Sequence, residues 1–125
     1  MSYSTELSWE ELEARYEPIR RMKALRRERP WAFDLIRVLW AHPRGLNNQQ
    51  IYDAVREIRD PSELPKPKQF AATIRAELNR HTRASPSWSG KTEDDLFCKP
   101  RGRGSWAVNY ETAIAWLSSR ELGHP

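Results

Sequence analysis

The chain has 125 residues, enough for one compact domain with a modest core. Its formal net charge is +4 and its pI about 9.5, a moderate basic bias that suits a polyanionic partner. The single cysteine, Cys98, excludes an internal disulfide and argues against a cysteine-based metal site, while no apolar run approaches membrane-spanning length.

The N-terminus is acidic and unlike a signal peptide, so a reducing cytoplasmic compartment is the expectation. Ser8-Trp9-Glu10-Glu11 reads as a capping box opening a helix with Trp9, Leu12 and Tyr16 on one face. Pro18 interrupts it and suits the first turn of a second short helix carrying Ile19, Met22 and Leu25. Residues 1–19 hold Glu6, Glu10, Glu11, Glu13 and Glu17 against Arg15. Residues 20–29 hold Arg20, Arg21, Lys23, Arg26, Arg27 and Arg29 against Glu28. Acid followed by base implies polarity in space, or an arm that folds back on itself. The basic run serves either as a phosphate contact or as a solvated face. Residues 1–29 are thus an N-terminal helical extension, and 30–122 the main domain.

Pro30 opens a helix containing Trp31, Phe33, Leu35, Ile36, Val38, Leu39 and Trp40, with charge only at Asp34 and Arg37. A helix this apolar needs cover on more than one side, from the domain and from the flanking helices or a second copy of the chain. His42-Pro43-Arg44-Gly45 ends it. Asn47 or Asn48 caps the next helix, which points Ile51, Ala54, Val55 and Ile58 inward. Asp60-Pro61-Ser62-Glu63-Leu64-Pro65 is a long Pro-rich connection.

The stretch from Lys66-Pro67 to Arg80-His81 is the central helix. Phe70, Ile74 and Leu78 recur every four residues on one face. Lys68, Ala72, Arg75 and Asn79 fall opposite, a face suited to a polyanion. After His81, a segment rich in Ser, Thr, Gly and Pro carries Trp88. Leu96-Phe97-Cys98 and Trp106-Ala107-Val108 are β-prone and flank Lys99-Pro100-Arg101-Gly102-Arg103-Gly104, which predicts a hairpin with a basic, glycine-bearing turn. Tyr110 to Leu122 closes the chain as a helix with Ala113, Ile114 and Leu117 on one face and Trp116 flanking.

Three helices followed by a two-stranded hairpin are the order of a winged helix-turn-helix, a mainly α, α+β fold. Its third helix enters the major groove and its wing lies along the backbone or minor groove. Both expected contact elements are basic here: Lys66, Lys68, Arg75, Arg80, Arg83, Lys91, Lys99, Arg101 and Arg103 face Glu77, Glu93, Asp94 and Asp95. Lys99, Arg101 and Arg103 on the wing are expected to hold phosphates, and its glycines to let the backbone approach closely. Lys68, Gln69, Ala72 and Arg75 are expected to reach base edges, with Lys66, Asn79, Arg80 and Arg83 completing the surface. Arg75 has an alternative, which is to meet solvent or a nearby carboxylate. Trp88 is either a plug on the core or an exposed wall against a ligand.

At these residues the chain resembles the HARE-type winged helix-turn-helix and its relatives attached to restriction endonucleases. The resemblance covers residues 30–109. It lies in the Trp31–Trp40 helix, Gly45-Leu46-Asn47 leading into Ile51-Tyr52, the Phe70…Ile74-Arg75…Leu78 helix and Ser85…Trp88. Its most specific part is Leu96-Phe97…Gly102…Gly104-Ser105-Trp106-Ala107-Val108. It implies a reader of double-stranded DNA, and several restriction-associated relatives look like sensors of modified bases, N6-methyladenine among them; a cytoplasmic, nucleoid-associated location is the corresponding expectation. Ala72 and Trp88 are the residues expected to meet such a methyl group.

Two other classes remain open. The chain is either the DNA-reading domain of a larger endonuclease or a protein-interaction module using the Trp31–Trp40 surface. A homodimer, or a fused or separate nuclease, is the corresponding partner. Other signals fail. Gly90-Lys91-Thr92 ends like a phosphate-binding loop, but Ser85 stands where that motif needs glycine and a hairpin follows. His42, His81 and His124 lack metal-ligand spacing, and His81 suits the end of its helix. Glu93-Asp94-Asp95 reads as a solvated turn. No nucleophile–base pair is visible, so neither catalysis nor a cofactor is expected.

Overall fold

Helix α1 (Pro30–Leu39) forms because Pro30 is pre-set for a first turn and the next residues bring apolar side chains to nearly every side. The structure is a computed structural model that describes residues 30–59 and 61–122. The helices expected within 1–29, their acidic and basic runs, and His124 lie outside the described residues. Ala32, Phe33, Leu35, Ile36 and Leu39 are buried, as is Trp40 in the turn that follows. Each large apolar side chain so buried contributes about 1.5–3 kcal/mol. The Trp31–Trp40 stretch is therefore spent on the core, and only Trp31 and Val38 remain partly exposed among its large apolar side chains. Asp34 is buried as well, and it pairs with Arg59. That guanidinium also lies 4.0 Å above the Trp31 ring, so the charge in α1 belongs to the interior.

Asn47, rather than Asn48, caps helix α2 (Asn48–Ile58). Its Oδ1 accepts the Gln50 N–H at 2.8 Å while Gln50 Oε1 accepts the Asn47 N–H at 2.9 Å, which makes a capping box. Ile51, Tyr52 and Val55 are buried, whereas Ala54 and Ile58 reach only half-burial. The Pro-rich connection holds a 3₁₀ turn, Pro61–Glu63, and packs Leu64 on the core.

Helix α3 (Pro67–Arg80) starts at a proline and docks through Phe70, Ile74 and Leu78, which are 0–1% exposed. The rings of Trp31 and Tyr52 meet Phe70 edge-on at 5.8 and 6.1 Å, fixing α3 against α1 and α2. After a loop and a 3₁₀ turn (Thr92–Asp94), β1 (Phe97–Cys98) pairs antiparallel with β2 (Ala107–Val108), Phe97 opposite Val108. Leu96 and Trp106 fall outside these strands. Trp106 instead makes an antiparallel bridge to Leu46, with both N–H to carbonyl distances at 2.9 Å. Gly45 makes that bridge possible: its φ is +94°, and a Cβ there would stand 3.0 Å from the Trp106 carbonyl oxygen.

Helix α4 (Tyr110–Leu122) buries Ala113 and Leu117 as its pattern predicts, and leaves Ile114 half-buried. Trp116 does more than flank this face: it is 2% exposed and part of the core. The Tyr110 hydroxyl donates to the Trp40 carbonyl at 2.7 Å, and the two rings meet edge-on at 4.7 Å. Burial, with a smaller contribution from Cys98, raises the Tyr110 pKa. The described residues thus form a mixed α/β unit with a small antiparallel hairpin.

Candidate nucleic-acid interface

The first half of α3 stands clear of the core. Lys66, Lys68, Gln69, Ala72 and Arg75 are exposed. Its first turn holds no acidic residue, and Lys66 at the N-cap makes no side-chain capping bond. Two lysines thus stand at the positive end of the helix dipole, an arrangement that an external anion relieves. Arg75 meets neither a carboxylate nor solvent alone, since its guanidinium donates to the Tyr52 hydroxyl at 3.1 Å. Tyr52 is buried on α2, so Arg75 is braced outward rather than left to wander.

The second half of α3 is used differently. Asn79 Nδ2 donates to the Arg75 carbonyl at 2.9 Å, and its Oδ1 accepts from Ser85 at 2.9 Å. It fastens the following loop to the helix. Arg80 lies 3.8 Å from Glu77, and Arg83 pairs with Asp95 at 3.3 Å. The Arg83 guanidinium also stands 5.7 Å from the Trp88 ring centre. Trp88 is half-buried, neither a core plug nor a bare wall. Ser89 N–H donates to the Arg80 carbonyl, which holds Trp88 near the last turn of α3. Eight residues, or roughly 12 Å of helix axis, separate Ala72 from Arg80, so Ala72 and Trp88 occupy different parts of the surface.

The acidic triplet departs from the expected solvated turn. Asp94 is 6% exposed and accepts from the Ser89 hydroxyl at 3.3 Å. His81, at the end of α3 as expected, is fully buried. Its Nδ1 lies 3.0 Å from the Asp94 carbonyl, and since a carbonyl only accepts, Nδ1 carries the hydrogen. Its Nε2 lies 3.5 Å from Glu77 Oε2, without hydrogen-bond alignment. These groups lock the end of α3 to the segment that leads into β1.

The hairpin tip carries three further cations. Arg101 and Arg103 are exposed, and Lys99 folds back with Nζ 4.9 Å over the Trp106 ring. Gly102 and Gly104 have φ of +83° and +86°, with nothing within 4 Å of an added Cβ. Their conformation demands glycine, while the space around them stays open to a partner. The tip is held by the Ser105 hydroxyl, which accepts from the Arg101 N–H at 3.0 Å and donates to the Gly102 carbonyl at 3.1 Å. Trp106 Nε1 donates to Asn48 Oδ1 at 2.7 Å, tying the root of the hairpin to the start of α2. Neither that bond nor the Arg75–Tyr52 bond has a local spacing that announces it.

Four of the described arginines are held in ion pairs. Arg56, Arg59, Arg80 and Arg83 have carboxylate partners at Asp53, Asp34, Glu77 and Asp95. Lys66, Lys68, Arg75, Lys99, Arg101 and Arg103 make no ion pair among the described residues, and neither do Arg37, Arg44 and Lys91 elsewhere. No group of three or more metal-ligating side chains occurs among the described residues either. No described helix is long and apolar enough to cross a membrane. No family model matches the chain, and no curated protein or solved structure matches it.

Proposed function

We propose that residues 30–122 are a winged helix-turn-helix domain of HARE type that binds double-stranded DNA without catalysis. The first half of α3 enters the major groove, and the Lys99–Gly104 tip lies on the sugar–phosphate backbone. The observation that carries this reading is the concentration of unpaired cations on those two elements: six of the nine described lysines and arginines without an ion pair lie there, against Arg37, Arg44 and Lys91 elsewhere, while four other arginines have carboxylate partners. The Leu46–Trp106 bridge supports it, because it makes the hairpin one rigid piece with the start of α2. In this reading Lys68, Gln69, Ala72 and Arg75 face base edges, where Gln suits adenine and Arg or Lys suits guanine. Ala72, small and exposed, is the contact for an N6-methyl group on adenine.

The test is duplex binding followed by fluorescence anisotropy across a salt series. The logarithm of affinity falls linearly with the logarithm of salt. Replacing Arg101 and Arg103 with alanine weakens binding to all sequences alike and flattens the slope by about 0.9 per lost phosphate contact. Unchanged affinity and slope in the double variant count decisively against a DNA-binding wing. Equal affinity of the wild type for matched methylated and unmethylated duplexes ends the methyl reading.

A further inference from the structure

The groove between residues 82–84 and β1 is a cavity of about 300 Å³. That is the lower end of small-ligand sites, which run from roughly 300 Å³ upward. Ala84 and Phe97 contribute apolar wall, and Asp95 and Asn109 contribute acceptors. Each carboxylate oxygen of Asp95 accepts one hydrogen from Arg83, from its backbone N–H and its Nε–H, both at 3.3 Å. Each therefore retains a second acceptor direction. Asn109 spends only Nδ2, on the carbonyls of Asp95 at 2.7 Å and Phe97 at 3.4 Å. Its Oδ1 makes no hydrogen bond among the described residues. The rim carries one outward cation: Arg83 donates Nε–H to Asp95 and its side chain is 60% exposed, whereas Lys99, which also lines the cavity, holds its Nζ over the Trp106 ring.

We propose that this cavity binds a nucleotide whose base carries an exocyclic amino group, with the base inside and its phosphate at Arg83. The acceptors select a donor-bearing edge, which adenine and cytosine present and thymine lacks at the corresponding position. Two sources supply such a ligand, a free mononucleotide or a base extruded from a duplex, and only the second rests on the DNA-binding reading.

Cys98, the sole cysteine, lines the cavity and reports its occupancy without a mutation. The experiment measures the rate of Cys98 alkylation in the full chain at fixed pH, with adenosine, cytidine or thymidine monophosphate or inorganic phosphate added. At about twice its Kd, the adenosine or cytidine nucleotide slows labelling about threefold by mass action, while the thymidine nucleotide and phosphate leave it unchanged. Equal protection by all four overturns the proposal, leaving an anion contact only. A parallel arm uses duplexes whose binding is read by anisotropy. A mismatched duplex that binds more tightly than its matched counterpart and protects Cys98 identifies an extruded base as the source. Protection by mononucleotides with no duplex binding upholds the cavity and sinks the DNA reading. Duplex binding with Cys98 fully reactive in every arm sinks the cavity and spares the DNA reading.

Discussion

The two halves of α3 share one helix and one apolar stripe, yet they are put to opposite uses. From Lys66 to Arg75 the outward side chains form no ion pairs, and the one strong contact, from Arg75 to Tyr52, holds a cation outward. From Glu77 to His81 the polar groups turn inward or bind the loop that follows. The difference teaches that a helical wheel describes a face and not its use. Asn79 and Lys68 lie on the same side of the wheel, but only Lys68 is left to meet a partner. Asn79, Arg80 and Arg83, all expected to contact DNA, have structural partners in Ser85, Glu77 and Asp95.

The comparison breaks most readily at the shared stripe. Leu78→Ala removes a fully buried side chain, and we expect a loss of about 2–5 kcal/mol in urea unfolding. A loss below that range means the end of α3 is less firmly docked than its burial implies. Next in size is Gln69→Ala in the exposed half. Its expected cost is about 1–3 kcal/mol of binding on the preferred duplex, with a relaxed sequence preference. Its unfolding midpoint stays where it was. Equal losses on every duplex make Gln69 a backbone contact instead.

Asn79→Ala reverses that signature. We expect a stability loss of about 1 kcal/mol from the two hydrogen bonds, with the salt slope of DNA binding unaltered. A changed slope moves Asn79 back to the interface. The smallest effect belongs to Arg80→Ala, whose ion pair is half-exposed and long at 3.8 Å. Below about 0.5 kcal/mol in stability is expected, and a larger binding loss marks Arg80 as a phosphate contact.

The sequence makes visible what repeats or punctuates. Phe70, Ile74 and Leu78 keep a helical period, Pro67 marks a start, and Gly102 with Gly104 marks the hairpin tip. It hides what depends on pairing across distance. Asp34 meets Arg59, and Trp106 meets Asn48, through contacts that no local window contains. A single bridge such as Leu46–Trp106 has no periodicity to detect. Asp94 misleads for a related reason: residue type predicts exposure, and only the folded chain supplies partners that let a polar group be buried.

The Leu46–Trp106 bridge carries an engineering consequence. It fixes the hairpin to the segment before α2, next to the Cys98–Ala107 pair that closes it, so residues 101–104 lie beyond a fixed joint. Doubling a flexible loop beyond such a joint adds only about 0.6 kcal/mol of closure entropy. The tip is therefore the place where this scaffold accepts inserted or grafted residues, with the frame of α1 to α3 undisturbed.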